Sequence, residues 1–231
     1  MIKFFGSKKT NNKTVDFPDN NVCICKESLP HIRLHITGKN NIVNINKISP
    51  SSKGIIEIWL RGDNNTIFID EGLHINSKLT ITMGKIHQNF GPITNSKLTI
   101  GKNTSIGSCT IITYNSNSTI SIGNNCMFAF NIFLFHTDAH PIIDKETNKI
   151  INKVRSLEIG NHVWIGGNVS ILKNTIIPED SICGIGSIVS GDYSKKGSGK
   201  TGYVIAGNPA KIIKENITWA GNGSGEYIDN I

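Results

Sequence analysis

The sequence predicts an all-β protein, a parallel β-helix built from short strands and tight turns. An aliphatic or cysteine residue recurs at every sixth position over a long stretch of the chain. The 231 residues include 41 isoleucines, which favour strands, and 28 asparagines, which tolerate the left-handed backbone of turns. An α-helix does not hold a six-residue period and a hairpin strand needs a period of two, so neither structure fits.

The six-residue period is clearest in the second half of the chain. Its repeating positions are Ile159, Ile165, Ile171, Ile177, Cys183 and Val189. A small or β-branched residue comes four positions later each time: Val163, Val169, Thr175, Ser181 and Ser187. We expect three short strands to close one triangular coil of eighteen residues, with stacked coils burying the repeating isoleucine column inside.

The same period appears further upstream, and it sets the predicted domain boundaries. Two more sets follow it: Ile100, Ile106 and Ile112, then Ile122, Phe128 and Leu134. Before them, GKNNIVNI and GDNNTIFI each place a Gly-x-Asn-Asn turn ahead of alternating isoleucines. We therefore predict irregular early coils over 1–97, the β-helix domain over 98–214 and a tail over 215–231. Residues 211–219 are predicted to form a short helix that caps the core.

Charge and cysteine usage narrow the class of protein. The formal net charge is +7, which indicates either a polyanionic ligand, such as a phosphate cofactor, an acidic polysaccharide or nucleic acid, or simply a lysine-rich surface. No apolar run approaches the roughly 18 residues that a membrane span needs, and the polar N-terminus does not read as a secretory signal. The five cysteines are an odd, scattered set, so we expect reduced thiols and a cytoplasmic location.

The period breaks between Phe135 and Ser156, where a polar segment carries two histidines around an aspartate. The three residues are His136, Asp138 and His140. They could ligate a metal, or one histidine could act as a general base, since an imidazole titrates near neutrality. A loop histidine without a role is the third alternative.

A second motif, HVWIGG, follows the restart of the period. The period places the Trp164 side chain on the outside of the wall, where an exposed aromatic ring can line a ligand groove. Gly166 and Gly167 leave backbone amides approachable, which suits an anionic intermediate. Packing between subunits is the alternative explanation for this motif.

A third motif, SKKGSGKT over 194–201, imitates a phosphate-binding loop. That loop requires glycine at its first position, where Ser194 stands, and a helix after it. Nucleotide hydrolysis is therefore rejected. The lysines in and after this insertion could still contact phosphates as point charges: Lys195, Lys196, Lys200, Lys211 and Lys214.

These motifs together resemble those of the hexapeptide-repeat acyltransferases, which have a left-handed parallel β-helix fold. The resemblance runs from about Leu98 to Lys214 and includes the hexads, HVWIGGNVSI and AGNPAKII. Ala139-His140-Pro141 looks like the catalytic-histidine loop of the galactoside and maltose O-acetyltransferases. The fuller pattern, Asp-x-His-x-Ile-x-Asp followed by Asn152 and HVWIG, looks closer to O-acetyltransferases of bacterial surface polysaccharides, including polysialic acid capsules.

The resemblance implies a homotrimer with active sites between subunits and acetyl-CoA as donor. Matched by position, His140 is the general base and Trp164 lines the cleft that holds acetyl donor or acceptor. The backbone amide of Gly167 is implied as the oxyanion donor, and that of Ile185 as a contact to the pantetheine arm. Lys211 is implied near the CoA nucleotide.

The chain also departs from the family pattern at one place. Relatives often carry a lysine before the aspartate that ends the last hexad, whereas here Gly191 precedes Asp192. Lys195, Lys196 and Lys200 in the insertion are candidates to take over that charge.

The predicted function is O-acetylation of a sugar hydroxyl on a bacterial surface polysaccharide, with Asp138 and His136 expected to contact the acceptor. Direct transfer needs neither a metal nor a nucleophilic serine or cysteine, because a thioester is already activated. The alternative is N-acetylation of a nucleotide-linked amino sugar, although such enzymes often carry a nucleotide-binding βαβ domain whose glycine fingerprint is missing here. A serine acetyltransferase, a γ-type carbonic anhydrase, a non-enzymatic β-solenoid scaffold and a nucleic-acid partner fit the motifs less well.

Overall fold

The computed structural model describes residues 13–17, 19–25, 31–84 and 92–221, and short strands make up most of their regular structure. The first strands are β1 (Lys13–Phe17), β2 (Asn21–Cys25), β3 (Ile32–Thr37), β4 (Ile42–Ile45), β5 (Ile55–Asp63), β6 (Thr66–Ile69), β7 (His74–Met83), β8 (Ile93–Thr94), β9 (Lys97–Ile100) and β10 (Ser105–Thr113). They are followed by β11 (Thr119–Ile122), β12 (Met127–Phe128), β13 (Ile132–Phe135), β14 (Ser156–Ile159), β15 (Trp164–Ile165), β16 (Ser170–Leu172), β17 (Ile176–Ile177), β18 (Ile182–Cys183), β19 (Ile188–Val189), β20 (Tyr203–Gly207) and β21 (Ala210–Glu215). One 3-10 turn, Tyr193–Lys195, lies before β20.

The strands form three walls of a triangular coil. Wall A is the sheet β1-β2-β4-β6-β9-β11-β14-β17, in which every neighbouring pair except β1 and β2 is parallel. Wall B contains β3, β5, the later part of β7 and of β10, β13, β16 and β19. Wall C contains the start of β10, then β12, β15, β18, β20 and β21. The chain visits walls C, B and A in that order, so each wall is separated from the next by a corner.

The predicted inward column is confirmed. Ile159 pairs with Ile177 on the next coil of wall A, a step of 18 residues, and both side chains are buried. Ile165 and Ile171 are buried on walls C and B of the same coil. The coils therefore stack their aliphatic side chains into one continuous core, which removes apolar area from water.

Asparagine supplies the sharp corners, as its abundance predicts. Within the described residues, 12 of the 16 non-glycine residues with positive φ are asparagines. In the two Gly-x-Asn-Asn turns, Asn40 and Asn64 adopt this left-handed backbone, while Asn41 and Asn65 turn inward and are buried. Asn65 Nδ2 donates to Asn41 Oδ1 over 3.0 Å and to Ile93 O over 3.1 Å, so the buried amides satisfy each other and the backbone.

The predicted register of the first upstream set is wrong after Ile106. Cys109 and Ile111 point inward, whereas Ile112 is only partly buried. The cause is the bend in β10, where the pairing register shifts between Ile106 and Ser108. A Cβ on Gly107 at this bend would lie 2.6 Å from Ala129 O, so the corner is too tight for any side chain.

The predicted C-terminal helix is also wrong, because residues 210–215 form β21. This strand pairs antiparallel with β20, for example through Ala206 and Lys211, and so satisfies the backbone edge that β20 exposes. The core end is closed instead by Tyr193 of the 3-10 turn, whose hydroxyl donates to Ala210 O over 2.9 Å. In the part of the chain that the structure describes, no helix is long and apolar enough to cross a membrane.

Candidate active site

A long excursion leaves the coil at the corner between walls B and A, after β13 and before β14. It carries the exposed side chain of His140 on the rim of a groove of about 330 Å³. Polar side chains and a few apolar ones line this groove: Tyr114, Asn115, Thr137, Asp138, Ala139, His140, Pro141, Ile150, Asn152, Lys153 and Val154. A sugar ring with its hydroxyl groups fits a lining of this kind.

The backbone around His140 is fixed on both sides. His140 N donates to Asp138 O over 2.6 Å, and His140 O accepts a 2.9 Å hydrogen bond from Asn152 Nδ2. Ala139 has a left-handed backbone with φ 61°, which costs a residue with a Cβ about 1 kcal/mol or more. Thr137 Oγ1 accepts a hydrogen bond from Ala139 N over 2.9 Å and holds this conformation.

Asp138 is ion-paired inside the groove rather than free. Lys173 Nζ lies 2.8 Å from Asp138 Oδ2, and Asn152 Nδ2 donates to the same oxygen over 2.6 Å. Partial burial favours the neutral carboxyl, but the hydrogen bonds from Lys173 and Asn152 and the lysine charge outweigh it. The pKa of Asp138 is therefore held below its usual value, and its negative charge is compensated by Lys173.

His136 lies beneath the groove and not on its surface. Its side chain is fully buried; Nε2 donates to Arg155 O over 2.9 Å and Nδ1 lies 3.3 Å from Thr113 Oγ1. Burial lowers the pKa of His136 to about 4, and the nearby Lys173 charge adds to this effect against the Arg155 hydrogen bond. The predicted contact between His136 and the acceptor does not fit this burial, and we do not propose it.

Trp164 lies on wall C, where the sequence predicts an outward side chain, and it is 36% exposed. Its indole is tilted against Trp219, with ring centroids 6.1 Å apart. Trp219 in turn stacks on His162 at 4.2 Å and donates its Nε1 hydrogen to His162 O over 2.7 Å. The segment after β21 therefore folds back over wall C beside Trp164.

Two approachable amides lie at the corner between walls C and B. Gly167 and Ile185 occupy equivalent places on successive coils, and no acceptor for either N–H lies among the described residues. Ile185 is 77% exposed as a residue. Lys211 is exposed on β21, whereas Lys195 is ion-paired with Asp192 at 2.8 Å and Lys196 donates to Ser190 O.

Comparison with known proteins places the chain in a family. No family model matches it. It is 33% identical over 194 residues to the polysialic acid O-acetyltransferase of Neisseria meningitidis, covering 79% of this chain and 86% of the relative. The chain belongs to the family of the polysialic acid O-acetyltransferases. It is also 36% identical over 159 residues to the polysialic acid O-acetyltransferase of Escherichia coli O1:K1, spanning 47% of that longer relative.

Two solved structures of the polysialic acid O-acetyltransferase family share the fold. The polySia-specific acetyltransferase NeuO superposes with a TM-score of 0.65 at 30% identity and covers 87% of this chain and 88% of its own. The polysialic acid O-acetyltransferase OatWY gives the same TM-score at 31% identity and covers 87% of this chain and 90% of its own. These matches confirm the predicted left-handed parallel β-helix.

The predicted site residues of this family member fall into two groups in one copy of the chain. His140 and Asp138 line the groove at the corner between walls B and A. Gly167 and Ile185 lie at the corner between walls C and B, with Trp164 on wall C, and none of these three lines the groove. A single copy therefore does not bring the histidine and the amides into one groove.

Sequence reasoning missed three residues near these groups. Tyr114 lines the groove from the preceding coil, Lys173 pairs with Asp138 from the next one, and Trp219 packs beside Trp164. The stacking of successive coils could have indicated Lys173. It follows Leu172, and Leu172 pairs with Phe135, the residue at which the excursion starts. Trp219 carries no comparable periodic signal.

The buried His136 ring predicts a stability that depends on pH. The unfolded ring binds a proton near its ordinary pKa of 6.5, whereas the folded ring stays neutral down to about 4. The contribution of the neutral ring to the free energy of unfolding is complete above pH 6.5 and is lost as the pH falls towards 4. The loss is about 2 kcal/mol at pH 5. Denaturant unfolding at pH 7 and pH 5, at one protein concentration, should show this loss in the wild type and not in His136→Gln. Equal pH dependence in the two proteins would contradict the neutral buried ring.

Proposed function

We propose that the chain transfers the acetyl group of acetyl-CoA to a hydroxyl of polysialic acid. The observation that carries this proposal is the groove in which an exposed histidine, His140, is held by its backbone at both sides. Membership of the polysialic acid O-acetyltransferase family supports both the reaction and the acceptor.

The proposed reaction is direct acyl transfer. The His140 imidazole takes the proton of the acceptor hydroxyl as its oxygen attacks the thioester carbonyl. The carbonyl oxygen becomes an oxyanion that accepts a hydrogen bond from Gly167 N–H. Collapse of the intermediate breaks the carbon–sulfur bond, and the leaving CoA thiolate receives the proton from His140. The products are the sugar acetyl ester and free CoA.

The remaining predicted residues position the donor in this proposal. Acetyl-CoA would lie along the corner between walls C and B, with Ile185 N–H donating to the pantetheine arm and Trp164 covering the acetyl end. Lys211 is exposed where it can meet a CoA phosphate as a point charge. Acetyl-CoA should be the only cofactor that the reaction needs.

Charge supports an acidic acceptor. The carboxylate of Asp138 in the groove lining is compensated by Lys173, which leaves Lys153 in the lining and the net charge of +7 to attract a carboxylated polymer. The five cysteines are free thiols, which supports the bacterial cytoplasm as the proposed location.

The two groups of site residues support a homotrimer whose active site is shared between subunits. His140 of one copy would face Gly167 and Trp164 of the next, because the two groups lie at different corners of the same triangular coil. A cyclic trimer repeats this heterologous contact three times and closes it. Light scattering should then give a mass of three chains.

A complementation experiment tests the shared site. His140→Ala and Gly167→Pro chains should each keep about 1% of wild-type activity or less alone, and co-expression in equal amounts should restore about a quarter of it through random mixed trimers. Sites that combine an intact histidine from one chain with an intact amide from the other account for that fraction. Mixed trimers without recovered activity would show that both residues act from the same chain.

The acceptor is tested by thiol release from acetyl-CoA with a panel of purified acceptors. Polysialic acid should support release, whereas a neutral capsule fragment of similar length should not. A nucleotide-linked amino sugar in the panel tests the N-acetyltransferase alternative. Release with that amino sugar alone, giving a product stable to mild alkali, would overturn the proposed O-acetylation.

A further inference from the structure

Three side chains form a connected cluster behind His140, which we name the loop clamp: Asp138, Asn152 and Lys173. Asn152 Nδ2 donates to both Asp138 Oδ2 and His140 O, over 2.6 and 2.9 Å, and Asn152 Oδ1 accepts from Ile142 N over 2.8 Å. A single amide side chain therefore ties together the residues on both sides of His140.

Lys173 connects the loop clamp to the rigid coil. It lies directly after β16 on wall B, and its side chain is only 16% exposed. Its ammonium group lies 2.8 Å from Asp138 Oδ2 and donates to Asn152 O over 2.9 Å. Both ends of the loop that carries His140 are thereby attached to the same lysine of the next coil.

The tip of the excursion is attached to itself. At its tip, Asp144 Oδ1 accepts hydrogen bonds from Thr147 N and Glu146 N, and Ile143 bridges to Ile150. These contacts shape the tip but do not reach the coil. The excursion is held to the β-helix by the loop clamp, by the buried His136 at its start and by Asn174, which accepts from Arg155 N and donates to Lys153 O at its end. Of these, only the loop clamp contacts the residues on both sides of His140.

We propose that Asn152 and Lys173 are positioning residues for His140, and that Asp138 serves as their anchor in place of the acceptor contact that the sequence predicts. This inference rests on the proposed function, because it assigns the base to His140. Together with the hydrogen bond from Ala139 N to Thr137 Oγ1, the clamp maintains the left-handed backbone of Ala139, which is unfavourable without such support, and so fixes the direction of the following imidazole. Displacing a catalytic group by about 1 Å can cost about 10²-fold in rate.

Activity measurements with matched variants test the loop clamp. Asn152→Ala should lower kcat by about 10- to 100-fold and Lys173→Met by about tenfold, with little change in the KM for acetyl-CoA. Lys173→Arg, which keeps the charge, should recover most of the loss. The control is Asp144→Ala, which removes equally local hydrogen bonds from the tip and should leave kcat within about twofold.

A double-mutant cycle separates positioning from general loop damage. In the His140→Ala background, Asn152→Ala should cause no further loss of kcat, because its effect passes through His140. An equal loss of kcat from Asn152→Ala in the wild-type and His140→Ala backgrounds would overturn the proposal, and so would an unchanged kcat in Asn152→Ala. Either result would leave the proposed function intact as long as the wild-type chain turns over.

Hydrogen–deuterium exchange gives a readout that does not require activity. Lys173→Met should speed exchange of the peptide covering 138–142, whereas Asp144→Ala should change only 143–150. Unchanged exchange over 138–142 in a folded Lys173→Met protein would overturn the clamp even if polysialic acid proved not to be the acceptor.

Discussion

Replacing His140 by alanine is expected to lower kcat by about 10²- to 10⁴-fold, the usual range for a lost general base. The affinity for acetyl-CoA should change little, because the imidazole acts mainly in the transition state. The His140 side chain is exposed on the groove and contributes little to the core, so the loss of kcat should reflect the missing base and not a loss of stability. Initial rates of thiol release at saturating acetyl-CoA measure the effect.

The matched control for this variant is His31→Ala. It removes another exposed imidazole, which lies directly before β3, and should keep the wild-type kcat. His136→Ala is a weaker control because the ring is buried and its loss should lower stability. Near-normal turnover in His140→Ala together with abolished turnover in a folded, trimeric His136→Ala would make the assignment of the base wrong.

Removing the backbone N–H of Gly167 is expected to lower kcat by about 10²- to 10³-fold, the loss that follows removal of one oxyanion donor. Gly167→Pro deletes this hydrogen, whereas Gly167→Ala keeps it. A Cβ added at Gly167 would lie 3.7 Å from Phe130 O, which is an ordinary contact, so the alanine variant should fold and turn over normally. The difference between the two variants isolates the amide from the side chain.

The Gly167 comparison requires that both variants keep the coil. No acceptor for the Gly167 N–H lies among the described residues, so proline removes no hydrogen bond that the chain makes within them. Thermal unfolding should therefore give closely similar Tm values for both variants. Equal kcat in Gly167→Pro and Gly167→Ala at equal Tm would remove the oxyanion role from this amide.

The coils were predictable because each obeys a local rule. Stacking forces Ile159 and Ile177 into the same core position, and a tight corner selects asparagine at a residue such as Asn64. The register slip at Gly107 was not predictable, since it comes from how closely Ala129 O on the next coil approaches the bend. The hairpin of β20 and β21 likewise depends on a free strand edge that appears only after folding.

The candidate site was only partly predictable for the same reason. His140 and Trp164 stand in motifs that the sequence displays, but Lys173, the charged partner of Asp138, comes from outside them. Lys173 is 35 positions from Asp138 and meets it because the excursion returns to the coil below. The excursion has no period, so only the closeness of His136 to the strand that contains Leu134 indicated that His136, rather than His140, has a structural role.

The central claim is that the chain moves an acetyl group from acetyl-CoA to a hydroxyl of polysialic acid, and isotope transfer tests it most directly. Purified chain is incubated with acetyl-CoA labelled with ¹³C in the acetyl group and with polysialic acid, and the isolated polymer is examined by NMR. The account predicts a labelled O-acetyl ester on the polymer, equal in amount to the CoA released and missing with His140→Ala. CoA release without label in the polymer, or the same labelling with His140→Ala, would contradict it.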